Sequence, residues 1–255
     1  MTLPKIEKQI RPGTPQVGVT PYGQVHAHST GNRSSTAQNE ADYHMRRPIE
    51  SGFFSHVVGN GRVIQTAPVN RGAYDVGGGW NAWGYAQVEL IESHKNKTEF
   101  LKDYKIYVEL LRKLAKDAGI PIKVDSGNTG ILSHDYCTKH QPNNGSDHVD
   151  PYPYLAKWGI SRAQFKKDVE KGMSEKPQYY KQTGWYEFIQ ADTMYTSRSF
   201  GKDKVSGIKL GKGTRIYADE VVTNPSGTAY RGVVLKVGKS GKRYFTLNKK
   251  FVKKV

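Results

Sequence analysis

The longest regular pattern in the chain is a stripe of apolar residues between Thr98 and Ala118. These residues recur at spacings of three and four, which places them on one face of an α-helix. Thr98 can cap such a helix, and Gly119 with Pro121 can end it. The stripe consists of Phe100, Leu101, Tyr104, Tyr107, Val108, Leu111, Leu114 and Ala115. We therefore predict a helix over 98–118 whose aromatic side chains lie in a core.

Other stretches have the pattern of β-strands. Residues 24–32 alternate between apolar and polar side chains and run into a Ser-Thr-Gly-Asn turn. Residues 53–66 predict a hairpin, because two apolar runs flank a Gly-Asn-Gly turn. Residues 85–91 predict a buried strand on which Glu89 points away from its apolar neighbours. A carboxylate in that position usually lies at a surface or lines a cleft.

Shorter signals complete the first two thirds of the chain. Hydroxyl side chains predict helix starts before residues 37–46 and at 161–170. Residues 1–23 contain four prolines and predict an extended arm, and the apolar run 120–124 predicts a short strand. Residues 135–153 are rich in His, Asp, Asn and Pro and predict a long irregular loop. Such loops in compact domains are often functional.

The pattern changes near residue 173. Residues 173–184 are rich in Ser, Glu, Lys, Pro, Gln and Tyr and predict an interdomain linker. Short β-like runs separated by Gly and Lys turns follow, and they predict a small antiparallel barrel over 185–255. The runs are 185–189, 215–217, 232–237, 243–247 and 251–252. We therefore predict one larger domain over 1–172 and a small all-β domain after the linker.

Charge is unevenly distributed between these two parts. The 255 residues have a formal net charge of +16. Residues 196–255 contain fifteen Lys and Arg against three acidic residues, a charge of +12, which leaves +4 for residues 1–195. A basic tail on a near-neutral body predicts binding to a polyanion, whether nucleic acid, an anionic membrane or an anionic cell-wall polymer. The alternative is a lysine-rich surface that only aids solubility.

Composition excludes several classes of protein. No stretch approaches the roughly 20 apolar residues of a membrane-spanning helix, so we expect no stable membrane insertion. The first ten residues lack the apolar run of a signal peptide, so we expect synthesis in a cytoplasm and export by another route. Cys137 is the single cysteine, which excludes an internal disulfide.

Candidate chemistry begins at His26 and His28, which share one face of the strand predicted at 24–32. Two imidazoles beside a turn favour a metal site, because His is a leading metal ligand. One or two surface histidines on an edge strand would produce the same pattern. These residues alone leave both interpretations open.

The order of several motifs resembles one enzyme family. The first motif is His28-Ser29-Thr30-Gly31-Asn32. The others are Thr36-Ala37-Gln38-Asn39-Glu40, Ser55-His56-Val57-Val58, Ala73-Tyr74-Asp75-Val76-Gly77, Val88-Glu89-Leu90, Ser133-His134 and Asp147-His148-Val149-Asp150-Pro151. Over about 15–172 they resemble the zinc-dependent N-acetylmuramoyl-L-alanine amidases of the phage-lysozyme and peptidoglycan-recognition-protein superfamily. The resemblance implies an α/β fold with a mixed central sheet flanked by helices. The tail resembles, more weakly, a bacterial SH3-type wall-binding module.

The resemblance also implies a Zn²⁺ site with three protein ligands. His28 matches the first ligand, His134 the second and Asp150, which precedes a proline, the third. The separation of His134 from Asp150 is longer than in the superfamily, so His148 and Cys137 stay alternatives for the third ligand. No proline follows Cys137, and a small buried residue is the better interpretation of it.

Catalytic and substrate-binding positions follow from the same resemblance. Glu89 matches a strand carboxylate that acts as general base or orients water. His148 stands where the family often has a lysine that stabilises the oxyanion. His56, Asp75 and Trp83 are candidates for lining the substrate cleft, although relatives commonly have His at the position of Asp75.

Three further polar residues are placed outside the ligand set. We expect His26 to face solvent or to lie behind the ligands. We expect Glu92 and His94 to be ordinary surface residues.

Together these features predict a phage-type endolysin that cuts the amide between N-acetylmuramic acid and L-alanine in Gram-positive peptidoglycan. We expect it to be made in the host cytoplasm and released to the wall, where the basic tail binds anionic polymers such as teichoic acids. A secreted autolysin and a non-catalytic peptidoglycan-binding protein of the same fold are the alternatives. Nucleic acid is not expected as a partner, because the tail has no nucleic-acid motif and the body's histidines and acids would have no role.

Overall fold

Two compact units make up the chain, Met1–Ser174 and Glu175–Val255. The computed structural model describes residues 3–173, 177–239 and 241–255. Each unit has its own hydrophobic core.

The N-terminal unit is built on a mixed β-sheet. Its strands are β1 (Ile6–Lys8), β2 (Gln24–Ser29), β3 (His56–Gly59), β4 (Arg62–Gln65), β5 (Gly84–Leu90) and β6 (Gly130–Ser133). They are arranged in the order β1-β4-β3-β5-β2-β6. Strand β2 is parallel to both of its neighbours, β5 and β6, whereas β3 and β4 form an antiparallel hairpin. This mixed sheet confirms the predicted α/β fold class.

Helices cover the sheet of the N-terminal unit. They are α1 (Ala37–Arg46), α2 (Lys97–Asp117), α3 (His134–His140), α4 (Tyr152–Lys157) and α5 (Arg162–Lys171). The apolar stripe of α2 packs on β2 and β5, and Phe100, Tyr104, Tyr107 and Leu111 are completely buried there. Each such side chain stabilises the fold by about 1.5–3 kcal/mol relative to exposure. The predicted long helix is confirmed to within one residue at each end.

Within the predicted extended arm at 1–23, strand β1 pairs with β4 at the sheet edge. Three other local predictions need correction. The run 120–124 is not a strand, since only Val124 forms a bridge, to Ile131. The predicted loop 135–153 contains most of α3 and the start of α4, which leaves 141–151 irregular. Helix α2 is capped by Asn96 rather than Thr98.

The C-terminal unit is all β. Its strands are β7 (Gly184–Phe188), β8 (Asp192–Tyr195), β9 (Val205–Leu210), β10 (Arg215–Ala218), β11 (Glu220–Thr223), β12 (Tyr230–Val234), β13 (Arg243–Thr246) and β14 (Val252–Lys254). They form antiparallel sheets in the orders β10-β7-β14 and β11-β12-β13-β8-β9. Tyr186, Phe188 and Phe245 are buried in the core of this unit. The predicted all-β character of the tail is confirmed, and β8, β9 and β11 were not predicted.

The domain limits 1–172, 173–184 and 185–255 stay predictions. Residues 174–176 of the proposed linker lie outside the described residues. Further along the linker, the Tyr180 N–H donates to the Leu247 carbonyl at 3.0 Å, so this part is bonded to the C-terminal unit.

No helix in the described ranges combines the length and the apolar character needed to cross a membrane.

Candidate metal centre

Three neighbouring parallel strands end at one edge of the sheet, and each has a polar residue at or next to its last position. His28 lies near the end of β2, and Glu89 lies opposite it in the register of β5. His134 directly follows β6 and begins α3. The carboxyl ends of parallel strands are where ligands bind in α/β sheets. The strand order therefore brings together residues that are more than a hundred positions apart in the sequence.

The irregular segment 141–151 brings Asp150 to the same edge. The Ser29 N–H donates to Asp150 Oδ2 at 3.1 Å, and the Asp135 N–H donates to the Asp150 carbonyl at 3.0 Å. Backbone groups at the end of β2 and the start of α3 thus hold this carboxylate in place.

His28, His134 and Asp150 form a compact group of donor atoms. The Nδ1 atoms of His28 and His134 are 3.1 Å apart. His28 Nδ1 is 3.2 Å from Asp150 Oδ2, and His134 Nδ1 is 3.3 Å from Asp150 Oδ1. One donor atom from each residue lies within 4.8 Å of the others, so the three side chains can hold a metal ion. His26, His28 and Asp75 form a second group that meets the same distance criterion.

Neighbouring histidines hold Asp150 ionised. Burial would raise the pKa of the Asp150 carboxyl, yet the neighbouring imidazoles of His134, His148 and His28 hold it well below its usual range. Burial would likewise lower the pKa of His28, but Asp150 and Asp75 raise it well above its ordinary value. A cation bound among these groups would therefore replace a proton on His28.

Glu89 and His148 flank the donor group in different environments. Glu89 Oε2 is buried and has no hydrogen-bond partner among the described residues, and burial raises the pKa of this carboxyl to about 8. The His148 side chain is 64% exposed, and its ring centroid is 4.7 Å from that of His134. The Asp150 carboxylate, with Oδ1 3.6 Å from His148 Nδ1, raises the pKa of His148.

The donor group lies at the centre of a branched groove. A central cavity of about 220 Å³ is lined by the donor group together with Glu89, His148, Asp75 and aromatic side chains. A cavity of about 590 Å³ adjoins it on the side of Arg33 and Lys157, and one of about 490 Å³ on the side of Tyr74 and Gly145. Both share His148 with the central cavity. An extended ligand can therefore cross the donor group.

Comparison with known proteins identifies the relatives of this chain. The lytic amidase of Streptococcus pneumoniae phage HB-3 is 60% identical over 195 residues, which cover 76% of this chain and 61% of that protein. The chain is therefore similar in sequence to a phage lytic amidase over about three quarters of its own length. The endolysin of Listeria phage A511 is 44% identical over 171 residues, covering 65% of this chain and 49% of that protein. The chain thus spans between about half and three fifths of the length of these relatives.

Solved structures show the same fold. The Staphylococcus aureus hydrolase AmiA, solved in complex with its ligand, superposes with a TM-score of 0.61 at 24% identity, covering 68% of this chain and 84% of that one. PlyL superposes with a TM-score of 0.50 at 20% identity, covering 67% of this chain and 99% of that one. No protein-family model matches the chain.

The structure does not bring every predicted site residue of this chain to the groove. Asp75 lines the central cavity, whereas His56 and Trp83 line neither it nor the two cavities that adjoin it. His56 is buried on β3 beside Ser55 Oγ at 2.9 Å. Trp83 stacks on Trp80 instead.

Cys137, an alternative third ligand, lies away from the donor group. It is completely buried in an apolar cluster with Val76, Trp80 and Leu132. Burial raises the pKa of its thiol well above the ordinary value. This environment favours the interpretation of Cys137 as a packing residue.

Two predicted surface residues have specific partners instead. His94 is buried, with Nδ1 2.6 Å from Tyr154 Oη and Nε2 2.9 Å from Asp103 Oδ2. Glu92 accepts a hydrogen bond from Ser29 Oγ at 2.8 Å and so supports the turn after β2. The prediction of a surface position was wrong for His94, whose partners lie on other elements, whereas Glu92 is half-buried at the surface.

Two residues at the groove were not singled out by sequence. Ser146 Oγ is 2.8 Å from His134 Nε2 and also accepts the His148 N–H at 3.2 Å. Arg47 lines the central cavity beside Glu89. The only signal for Ser146 was its place in the polar loop, and there was none for Arg47.

Proposed function

We propose that this chain is a zinc-dependent endolysin that hydrolyses the amide bond between N-acetylmuramic acid and L-alanine in Gram-positive peptidoglycan. The observation that carries this proposal is the group of His28, His134 and Asp150 beside Glu89, in a chain similar in sequence to a phage lytic amidase. The cavities on both sides of this group would leave room for a substrate that extends past it.

The donor group fits zinc. Tetrahedral zinc with nitrogen and oxygen ligands at 2.0–2.2 Å places neighbouring ligand atoms about 3.4 Å apart. The Nδ1 atoms of His28 and His134 are 3.1 Å apart, and each lies within 3.3 Å of one of the two Asp150 oxygens. Two imidazoles and one carboxylate are a usual ligand set for catalytic zinc, which keeps its fourth position open. When bound, zinc would act as a Lewis acid and lower the pKa of a bound water toward about 7.

Glu89 has the position and chemistry of a general base. Its carboxyl faces the central cavity, where it would accept the proton of the attacking water and pass it to the leaving nitrogen. A nearby cation favours the ionised form of a carboxyl and lowers its pKa. The pKa of about 8 in the metal-free protein would therefore move toward neutrality, where a general base is most effective.

His148 would stabilise the oxyanion. The nearby Asp150 carboxylate raises the pKa of the imidazole and so favours the protonated form. Its side chain is exposed toward the cavities on both sides of the donor group. A cationic donor at the developing negative charge lowers the barrier for attack on the amide.

We further propose that the C-terminal unit is an SH3-like module that retains the enzyme on anionic wall polymers. The support is the charge of +12 on residues 196–255. The proposal includes synthesis in the host cytoplasm and release to the wall during lysis. Neither nucleic acid nor an inserted membrane is a partner in it.

Digestion of purified Gram-positive wall tests the reaction. Cleavage by an amidase creates new N-terminal alanine on the peptides without new reducing sugars. We expect the zinc-loaded protein to release such peptides. New reducing ends would show a glycosidase, other new N-termini would show an endopeptidase, and binding without new termini would show a non-catalytic protein.

The variant Glu89→Gln tests the assignment of the base. We expect it to reduce the rate of peptide release about 10²–10⁴-fold while zinc still binds, because an amide cannot accept the proton. The matched control is Glu109→Gln on α2, which leaves the groove unchanged and should have the parental rate. Parental activity of Glu89→Gln would contradict the assignment. If His28→Ala and His134→Ala both kept the parental rate, the proposed zinc site would be wrong.

A further inference from the structure

The two ring nitrogens of His28 face different partners. Nδ1 faces the donor group formed with His134 and Asp150, whereas Nε2 is 3.1 Å from Asp75 Oδ2. A neutral imidazole has one N–H and one lone pair, and the metal takes the lone pair. The N–H of His28 must then be on Nε2, with the Asp75 carboxylate as its acceptor. A carboxylate in this position holds the ring and makes the ligating nitrogen more basic.

Neighbouring side chains hold both the backbone around Asp75 and one oxygen of its carboxylate. Asn81 Oδ1 accepts the N–H groups of Asp75, Val76 and Gly77 at 3.1, 2.9 and 3.2 Å, which fixes the loop. Asp75 Oδ2 is 2.5 Å from His26 Nδ1, and the Asp75 side chain is only 4% exposed.

His26 is in turn fixed by residues further back along β2. Its Nε2 is 2.8 Å from Gln24 Oε1, and Gln24 Nε2 donates to the Asn128 carbonyl at 2.8 Å. Gln24, His26 and His28 share one face of the strand because side chains alternate. His26 and Gln24 are fully buried. A continuous series of hydrogen bonds therefore runs from Asn128 to the first metal ligand.

We propose that Asp75, held by His26 and Gln24, is a positioning residue that orients His28 for metal binding through Nδ1. This inference rests on the proposed zinc site. His26 then supports Asp75 and does not ligate. The close group of His26, His28 and Asp75 is a hydrogen-bonded support for one metal site and not a second metal site.

Zinc affinity, measured by competition with a chromogenic chelator, tests the inference without relying on catalysis. We expect Asp75→Asn, which keeps the shape of the side chain, to weaken zinc binding about 10–100-fold. His26→Gln should also weaken it, by a smaller factor, because Asp75 keeps its other contacts. The matched control is Asp42→Asn on the exposed face of α1, which should bind zinc like the parent. Parental affinity in folded Asp75→Asn would overturn the inference.

Nitrogen NMR of the zinc-loaded parent gives a test that requires no variant to fold. We expect the Nδ1 of His28 to have the shift of a metal-bound nitrogen and Nε2 to carry the proton. Coordination through Nε2 would overturn the inference, and so would a stoichiometry of two zinc ions per chain. Failure of the parent to bind any zinc would instead contradict the proposed function.

Discussion

The buried histidines of the N-terminal unit differ in the partners of their ring nitrogens. His28 and His134 both direct Nδ1 toward Asp150 and leave Nε2 to an oxygen of a neighbouring loop. His94 uses its nitrogens to join Asp103 to another helix. Only the first arrangement leaves two imidazoles converging on one point. The side chains of His28, His134 and His94 are all buried, so burial does not distinguish the two proposed metal ligands from His94. The direction of their ring nitrogens does.

His56 leads to a prediction about stability and pH. Burial lowers the pKa of His56 to about 3, while the unfolded chain has the ordinary value of about 6.5. The unfolded state therefore binds the proton first, and stability that is present above pH 6.5 is lost as pH falls below it. Because of this group, the free energy of unfolding should fall by about 2 kcal/mol between pH 7 and pH 5. His56→Gln should lose about 2 kcal/mol less over that interval than the parent.

Urea unfolding at both pH values, with chelator present to remove any metal contribution, provides the measurement. The exposed His140 supplies the control, since His140→Gln should lose as much stability as the parent. The other histidines are common to all three proteins, so the difference isolates His56. An equal loss in His56→Gln and the parent would show that His56 does not remain neutral in the folded state.

At the residue scale, motif order was more informative than local pattern. The structure brings His28, Glu89, His134 and Asp150 to one edge of the sheet, as their order in the motifs implied. His94 could not be placed correctly, because what buries it is its contact with Asp103 and Tyr154, which lie 9 and 60 residues away. A linear pattern contains no information about such a contact.

Helix α2 contacts the strand that contains His28, and the stability of the helix depends on the cap of its first turn. Tyr107 Oη donates to the His28 carbonyl at 3.0 Å, so the position of the helix affects the end of β2. Asn96 Oδ1 accepts the Glu99 N–H at 3.0 Å, and Glu99 Oε2 accepts the Lys95 N–H at 3.1 Å. The Asn96 side chain therefore satisfies one free N–H of the first turn, and the Glu99 side chain holds the backbone just before the cap.

A pair of alanine variants tests this start. Asn96→Ala should lower the free energy of unfolding of the N-terminal unit by about 1 kcal/mol, because the cap is lost. Thr98→Ala should have little effect or a slight gain, since Ala is the better helix former inside the first turn. Urea unfolding of the two variants beside the parent measures the difference. Equal destabilisation by both would contradict Asn96 as the cap.

At the element scale, prediction succeeded where one element contains its own signal. The stripe of α2 and the β3–β4 hairpin were predicted because their period and turn residues are local. Strand β9 was missed, because Gly207 with a φ of +79° interrupts its alternation and pairing with β8 supplies the order. Helix α3 was missed because its seven residues, HDYCTKH, have no apolar stripe.

On the scale of the whole molecule, the donor group and most of the positive charge lie in different units. The groove and the donor group belong to the first unit, and most of the positive charge belongs to the second. Because each unit has its own core, the first unit should fold without the second. Binding to the wall and hydrolysis can then be measured separately.

Removal of residues 175–255 should reduce retention on purified walls and leave hydrolysis of a small soluble muropeptide unchanged. The basic unit is attracted to anionic polymers by Coulomb forces, which dissolved salt screens over about 10 Å at 0.1 M and about 3 Å at 1 M. Co-sedimentation of the full chain with wall should therefore fall steeply between about 0.05 M and about 0.5 M salt. The shortened chain should remain in the supernatant at both concentrations.

A charge variant separates electrostatic attraction from shape. Lys212, Lys236 and Lys239 are exposed, so changing all three to Glu lowers the charge by six while leaving the core intact. If attraction to a polyanion retains the enzyme, this variant should sediment like the shortened chain at low salt. If it sediments like the parent at every salt concentration, the C-terminal unit recognises a specific uncharged group. If the shortened chain also sediments like the parent, the C-terminal unit does not direct the protein to the wall.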